Sequence, residues 1–92
     1  MIKTFADNDV EQLAQGLSVK AWENIQRPLY RKLVLLNAAV ELRDLKEPSG
    51  NNLEALKGDR KGQHSIRVNG QYRICFKWKD GDAYDVEVVD YH

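Results

Sequence analysis

Cysteine is nearly missing from this 92-residue chain, where Cys75 stands alone. A single thiol excludes an internal disulfide and any multi-cysteine metal site, and it makes a reducing compartment, the cytoplasm, the expected location. Histidine is almost as scarce. His64 and His92 have no acids or further histidines at ligand spacing, so no metal site is expected. No glycine-rich nucleotide fingerprint occurs either, and no cofactor is expected. No apolar run approaches the about 20 residues of a membrane span. No signal peptide is expected at Met1-Ile2-Lys3-Thr4-Phe5, which reads as a strand. Net charge is missing as well, because 14 basic and 14 acidic residues cancel, which argues against polyanion binding by the whole surface. Repeats, low-complexity tracts and linkers are absent. What remains is one small domain spanning residues 1–92, globular by its 42% hydrophobic and 30% charged content.

The charge that is present is unevenly spread. Residues 57–79 hold Lys57, Arg60, Lys61, Arg67, Arg73, Lys77 and Lys79 against Asp59 alone. Residues 80–92 hold Asp80, Asp82, Asp85, Glu87 and Asp90 and no lysine or arginine. A basic stripe therefore survives inside a neutral chain and suits phosphate, with Lys57, Arg60, Lys61 and Arg67 as binding candidates. The same charges also fit pairing between adjacent strands on a solvated sheet face.

Periodicity divides the chain into a helical half and an alternating half. Asp7, Asn8 and Asp9 suit a helix start, Val10, Leu13, Ala14 and Leu17 follow helical spacing, and Gly16 marks the stop. Trp22 and Ile25 anchor the turn into a second helix with Pro28 in its first turn. Leu29, Leu33, Leu36 and Val40 trace its apolar face to about Leu42. Glu47-Pro48-Ser49-Gly50-Asn51-Asn52 is loop chemistry. Three strands follow, parted by the hairpin pairs Asn69-Gly70 and Asp80-Gly81. The expected fold class is α+β: two N-terminal helices packed on a small antiparallel sheet, formed by a C-terminal three-stranded meander plus an N-terminal strand. A two-residue loop at Asp80-Gly81 sets Phe76 opposite Asp85, an apolar residue against a charge. A three-residue connection, or an equivalent bulge, instead sets Trp78 by Tyr84, Phe76 by Val86, Ile74 by Val88 and Lys77 across from Asp85.

Strand parity then sorts the side chains. Even-numbered residues form the core, and Arg67, Arg73, Cys75, Lys77, Val89 and Tyr91 line the open face. Arg73, held mid-strand, can grip a phosphate through two hydrogen bonds or pair with Glu87 or another strand acid. Lys57 and Arg60 flank Gly58, where backbone can approach a ligand closely. Glu54 can serve as a base, and His92 is of the residue type whose charge can change near neutral pH, which suits proton transfer. His64 reads as a partly buried structural histidine and Cys75 as a packing residue. Cations beside proton-handling side chains suit a site that holds a phosphate and moves a proton next to it. RNA cleavage is the simplest chemistry that needs both.

These residues resemble a known family. The Met-Ile-Lys-x-Phe opening, the run from Leu56 to Asn69 (LKGDRKGQHSIRVN), Tyr72-Arg73-Ile74-Cys75-Phe76 and the ending Val89-Asp90-Tyr91-His92 together resemble the HigB-type toxins of the RelE superfamily, over essentially the full length. The resemblance implies a ribosome-dependent endoribonuclease that enters the A site and cuts mRNA. It also implies a HigA-like helix-turn-helix antitoxin as partner. Family positions that matter for cleavage fall on Lys57, Arg60, Arg73, Asp90, Tyr91 and His92. Some relatives carry histidine where this chain has Glu54, and a branch with glutamate is similar there. The base is thus Glu54 or His92, with Tyr91 orienting or stacking on the RNA and Asp90 orienting His92. The competing readings are a non-catalytic RNA or ribosome binder of the same fold and a module whose charged sheet face docks a protein.

Overall fold

Asp7 starts the first helix. Its carboxylate accepts a hydrogen bond from the Val10 N–H at 3.0 Å and caps α1 (Asn8–Ala14), with Asp9 and Glu11 in the first turn where the helix dipole favours acids. Gly16, at φ +87°, turns the chain out of the helix. Leu17 therefore falls beyond the end of the apolar stripe and is exposed. The structure, a computed structural model, describes residues 1–90.

The second helix, α2 (Gln26–Ala38), follows a 3-10 segment, Lys20–Ile25, and buries Leu29, Leu33 and Leu36. It ends four residues earlier than its apolar spacing suggests, and Val40 is 73% exposed rather than buried. The cause is a competing cap. Asp44 Oδ2 accepts from the N–H groups of Val40 at 3.0 Å and Glu41 at 2.9 Å, the donors that would have continued the helix. Those bonds start a separate 3-10 turn, Leu42–Lys46, whose Leu45 is buried.

The sheet is four-stranded and antiparallel, in the order β1 (Glu54–Ala55), β2 (Gln63–Arg67), β3 (Tyr72–Lys79), β4 (Asp82–Asp90). The N-terminal segment runs along the outer edge of β4. It joins there through two isolated parallel bridges, Ile2 to Ala83 and Phe5 to Val86. Thr4 interrupts a continuous ladder, because its hydroxyl oxygen takes the Asp85 N–H at 2.8 Å. The loop between β2 and β3 is held by Asn69, whose Oδ1 accepts from the N–H groups of Gln71 and Tyr72, both at 2.8 Å.

The β3–β4 register corrects one expectation and meets another. Asp80 and Gly81, at φ +51° and +83°, make the two-residue turn, so Trp78 faces Ala83 and Lys77 faces Tyr84. The shift that puts apolar residues back on the buried side comes later, as a bulge at Asp85, φ +52°. Beyond it Ile74 faces Val88 and Cys75 faces Glu87. Tyr84 consequently lies on the side of Lys77, away from the core face it was expected to share with Val86 and Val88. The helices cover the face formed by Ile66, Ile74, Phe76, Ala83 and Val86, all fully buried. Among the described residues, no helix is long and apolar enough to cross a membrane.

Candidate phosphate-binding face

Residues directly opposed on neighbouring strands share a face, so register alone arranges the side of the sheet away from the helices. One row runs Arg67, Arg73, Val89 across β2, β3 and β4. The next, roughly 7 Å along the strands, runs Glu54, Ser65, Cys75, Glu87 and begins on β1. A third runs Gln63, Lys77, Tyr84.

Arg73 is the most constrained cation on this face, with its side chain 11% exposed. Its Nε donates to Ser65 Oγ at 2.8 Å, and its Nη2 donates to the Asn52 carbonyl and to the Ser65 carbonyl at 3.5 Å. The acid beside it is Glu54, with Oε2 4.0 Å from Nη2. Of the strand acids weighed as alternative partners of Arg73, it is therefore Glu54 that lies beside it, while Glu87 binds Arg60 at 2.7 Å and Gln63 Oε1 accepts from the same guanidinium at 3.1 Å. The bulge supplies the reason. It leaves Glu87 opposite Cys75, and the turn Gly58–Arg60 brings Arg60 to that end of the sheet.

Arg67 sits directly opposite Arg73, and its Nε donates to the Asn69 carbonyl at 3.1 Å. Two like charges facing each other across a ladder are unfavourable unless an anion lies between or beside them. Both line a cleft of about 250 Å³ with Asn52, Asn69, Gly70 and Gln71. A wider opening of about 640 Å³ lies among Asp59, Arg60, Gln63, Lys77, Asp85 and Glu87. There Lys77 and Asp85 form a 3.1 Å ion pair across the bulge.

The remaining candidates separate. Lys57 and Lys61 are exposed on either side of the Gly58–Arg60 turn, with no ion pair among the described residues. Asp90 is opposite Tyr72, so the alternation carries it to the face away from Arg73, where it accepts from Gln71 Nε2 at 3.1 Å. Tyr91 and His92 lie outside the described residues. His64, on the core side, stacks on Phe76 with ring centroids 6.2 Å apart, and its Nδ1 is buried with no hydrogen-bond partner among the described residues. Cys75 is fully buried. Among the described residues, no group of three or more His, Cys, Asp or Glu is placed to hold a metal ion.

The structure thus brings Glu54, Arg67 and Arg73 together and sets Arg60 apart with Glu87. It also adds Ser65, Asn52 and Gln71, which sequence reasoning passed over. Asn51-Asn52 carried one usable signal, since Asn tolerates the left-handed conformation that Asn52 adopts at φ +43°. Nothing local marks Ser65, whose role depends on its neighbour across the sheet. Chemically, two guanidiniums with a carboxylate beside them can take an anion and accept a proton next to it.

A family model described as "RelE-like toxin of type II toxin-antitoxin system HigB" matches residues 3–92. The chain is 52% identical over 60 residues to "Toxin HigB-1" of Vibrio cholerae serotype O1, covering 65% of this chain and 63% of that protein. It is 39% identical over 61 residues to "Endoribonuclease HigB" of Proteus vulgaris, covering 66% of this chain and 65% of that protein. The chain spans just under two thirds of these curated relatives. Among solved structures, YafQ from E. coli strain BL21(DE3) superposes with a TM-score of 0.60 at 16% identity, covering 98% of this chain and 93% of that one. The toxin–antitoxin complex YoeB–YefM from Staphylococcus aureus gives 0.58 at 16% identity, covering 100% and 98%. At those identities the likeness is one of fold.

Proposed function

The chain belongs to the HigB-like, RelE-like toxins of type II toxin–antitoxin systems, and on that footing we propose that it is an endoribonuclease that cuts mRNA in the ribosomal A site. The observation that carries the reading is the opposed pair Arg67 and Arg73 lining one cleft, with Glu54 4.0 Å from the second. The name of the Proteus vulgaris relative supports RNA as the substrate.

The hypothesis for the reaction needs only parts that the substrate and this face supply. The RNA 2′-hydroxyl attacks the adjacent phosphorus and gives its proton to a base, Glu54 or His92. The 2′-oxygen–phosphorus bond forms, the bond from phosphorus to the 5′-oxygen breaks, and that oxygen takes up a proton from water, to which the base returns its own. Arg73 and Arg67 hold the negative charge that grows on the non-bridging oxygens. Lys57, Lys61 and Arg60 extend the positive field along the RNA, and Tyr91 orients it. No metal takes part. Much of the face is open, so the ribosome's ordered RNA supplies the alignment that an isolated oligonucleotide lacks. The reading includes a HigA-like helix-turn-helix antitoxin as partner and the cytoplasm as location.

The test is induction of the chain in bacteria with and without the neighbouring open reading frame, followed by sequencing of RNA ends. New 5′ ends inside translated messages are expected only when the chain is expressed alone, and a zinc chelator is expected to leave them unchanged. Growth arrest without new ends would identify a binder that blocks the ribosome and would refute the nuclease reading.

A further inference from the structure

We propose that Ser65 is the positioning residue that aims Arg73 at the scissile phosphate. The inference rests on the nuclease reading for what the aimed guanidinium does, and on geometry alone for the aiming. Ser65 is opposite Cys75 and Arg73 is opposite Arg67, so the bond between Ser65 and Arg73 is diagonal across the β2–β3 ladder. The arginine side chain therefore leans one row along the sheet, towards β1. Ser65 is fully buried, and an unpartnered hydroxyl there would be costly; the 2.8 Å bond from Arg73 Nε satisfies it.

The second anchor is the Asn52 carbonyl, which accepts from Arg73 Nη2. That carbonyl belongs to the folded body. Asn51, fully buried, donates its side-chain amide to the carbonyls of Leu45 and Glu47 at 3.1 Å each and accepts from Lys32 of α2. Nε and Nη2 form one edge of the planar guanidinium, and the protein occupies that edge. Nη2 already has two carbonyl acceptors, and among the described residues no hydrogen bond engages Nη1, so the Nη1 amino group remains for a phosphate oxygen.

The chemistry of the anchors matters as much as their placement. A hydroxyl and a carbonyl fix the orientation of the cation without neutralising it. Arg60 contrasts with this, since a full carboxylate, Glu87, holds it at 2.7 Å. A serine at position 65 thus orients Arg73 without adding a second carboxylate to the long contact with Glu54 at 4.0 Å, and it removes the need to order the flexible side chain during the reaction.

Ser65→Ala, Ser65→Thr and Arg73→Lys test this on mRNA-programmed ribosomes. Ser65→Ala is expected to lower kcat roughly 10- to 100-fold with KM little changed, and Ser65→Thr, which keeps the hydroxyl, to restore most of it. In an Arg73→Lys background, Ser65→Ala is expected to cost nothing more, because lysine has no Nε–H to anchor. Independently of activity, the Arg73 Nε–H proton resonance is expected to exchange slowly in the wild type and fast in Ser65→Ala. An equally protected resonance in both, or full activity in Ser65→Ala, overturns the proposal. A protected resonance in a wild type that leaves mRNA uncut upholds the Ser65–Arg73 contact and overturns the nuclease reading instead. If Ser65→Ala does not fold, Ser65→Cys, which keeps the volume and weakens the acceptor, takes its place in every comparison.

Discussion

Glu54 Oε2 stands 4.0 Å from Arg73 Nη2, with the glutamate side chain 57% exposed and the arginine 11%. A pair so long, with its acid in solvent, is a weak tie. The carboxylate is thereby kept near the cation without being locked to it, which suits a base that must turn to a 2′-hydroxyl when RNA enters. Neither residue is near the other in sequence. Pairing of β1 with β2, which sets Glu54 opposite Ser65, brings them together.

Arg73→Ala is expected to slow mRNA cleavage about 10²- to 10³-fold, the usual loss for one donor to a developing oxyanion. Arg73→Lys is expected to fall between the two, because an ammonium keeps the charge and loses the fork. Single-turnover cleavage on programmed ribosomes measures both. An Arg73→Ala variant that still arrests growth fully would remove this side chain from the mechanism.

Replacing Glu54 separates the two candidate bases. If Glu54 accepts the proton, Glu54→Gln lowers kcat about 10²- to 10⁴-fold. Glu54→His then recovers activity, and the acidic limb of the rate profile moves towards neutral pH because imidazole titrates there. An unchanged rate in Glu54→Gln assigns the proton to His92.

Deleting Tyr91 and His92 is expected to lower mRNA cleavage, with the urea midpoint measured alongside to separate a lost site from a lost fold. Asp90→Asn is expected to act more mildly, since Asp90 is carried to the face away from Arg73. Cleavage that survives the deletion at full rate excludes both tail residues from the chemistry.

The β3–β4 turn offers a test of stability rather than activity. Gly81 has φ +83°, and a Cβ built on it meets the Val40 carbonyl oxygen at 3.1 Å. Gly81→Ala is expected to cost roughly 1–2 kcal/mol, seen as a lower urea midpoint. An unchanged midpoint would mean that the turn relaxes without strain.

Acid exposes the cap that ends α2. The backbone N–H groups of Glu41 and then Val40, with Arg43 nearby, hold the Asp44 carboxyl below its ordinary 3.8. A carboxyl whose pKa is lowered on folding stabilises the fold above its unfolded pKa and loses that contribution as pH falls through the folded value. Asp44→Asn is therefore expected to be less stable than wild type at pH 7, with the gap closing below pH 3.8. A gap independent of pH would show that the charge contributes nothing.

Local chemistry was legible residue by residue. Asp7 as a cap, Gly16 as a stop, Leu29, Leu33 and Leu36 as the buried stripe and the alternation of Ile74, Phe76 and Trp78 each depend on neighbours a few positions away. Val40 failed because Asp44 offered its N–H a side-chain acceptor, a competition that apolar spacing does not register. Tyr84 failed for a related reason. The sequence demanded a register correction between Trp78 and Val86 without saying where, and the left-handed Asp85 took it after the turn.

Alternation by itself determined that Arg67 and Arg73 share the face away from the helices, because side chains on a strand must point to opposite sides in turn. Only the assembled sheet decided what surrounds them: Glu54 and Ser65 beside Arg73, Glu87 taken by Arg60, and the Asn52 carbonyl closing one edge of the guanidinium. Those partners come from separate segments of the chain. Their meeting depends on strand pairing, on the placement of one bulge and on a buried asparagine, none of which is written in the spacing of any single segment.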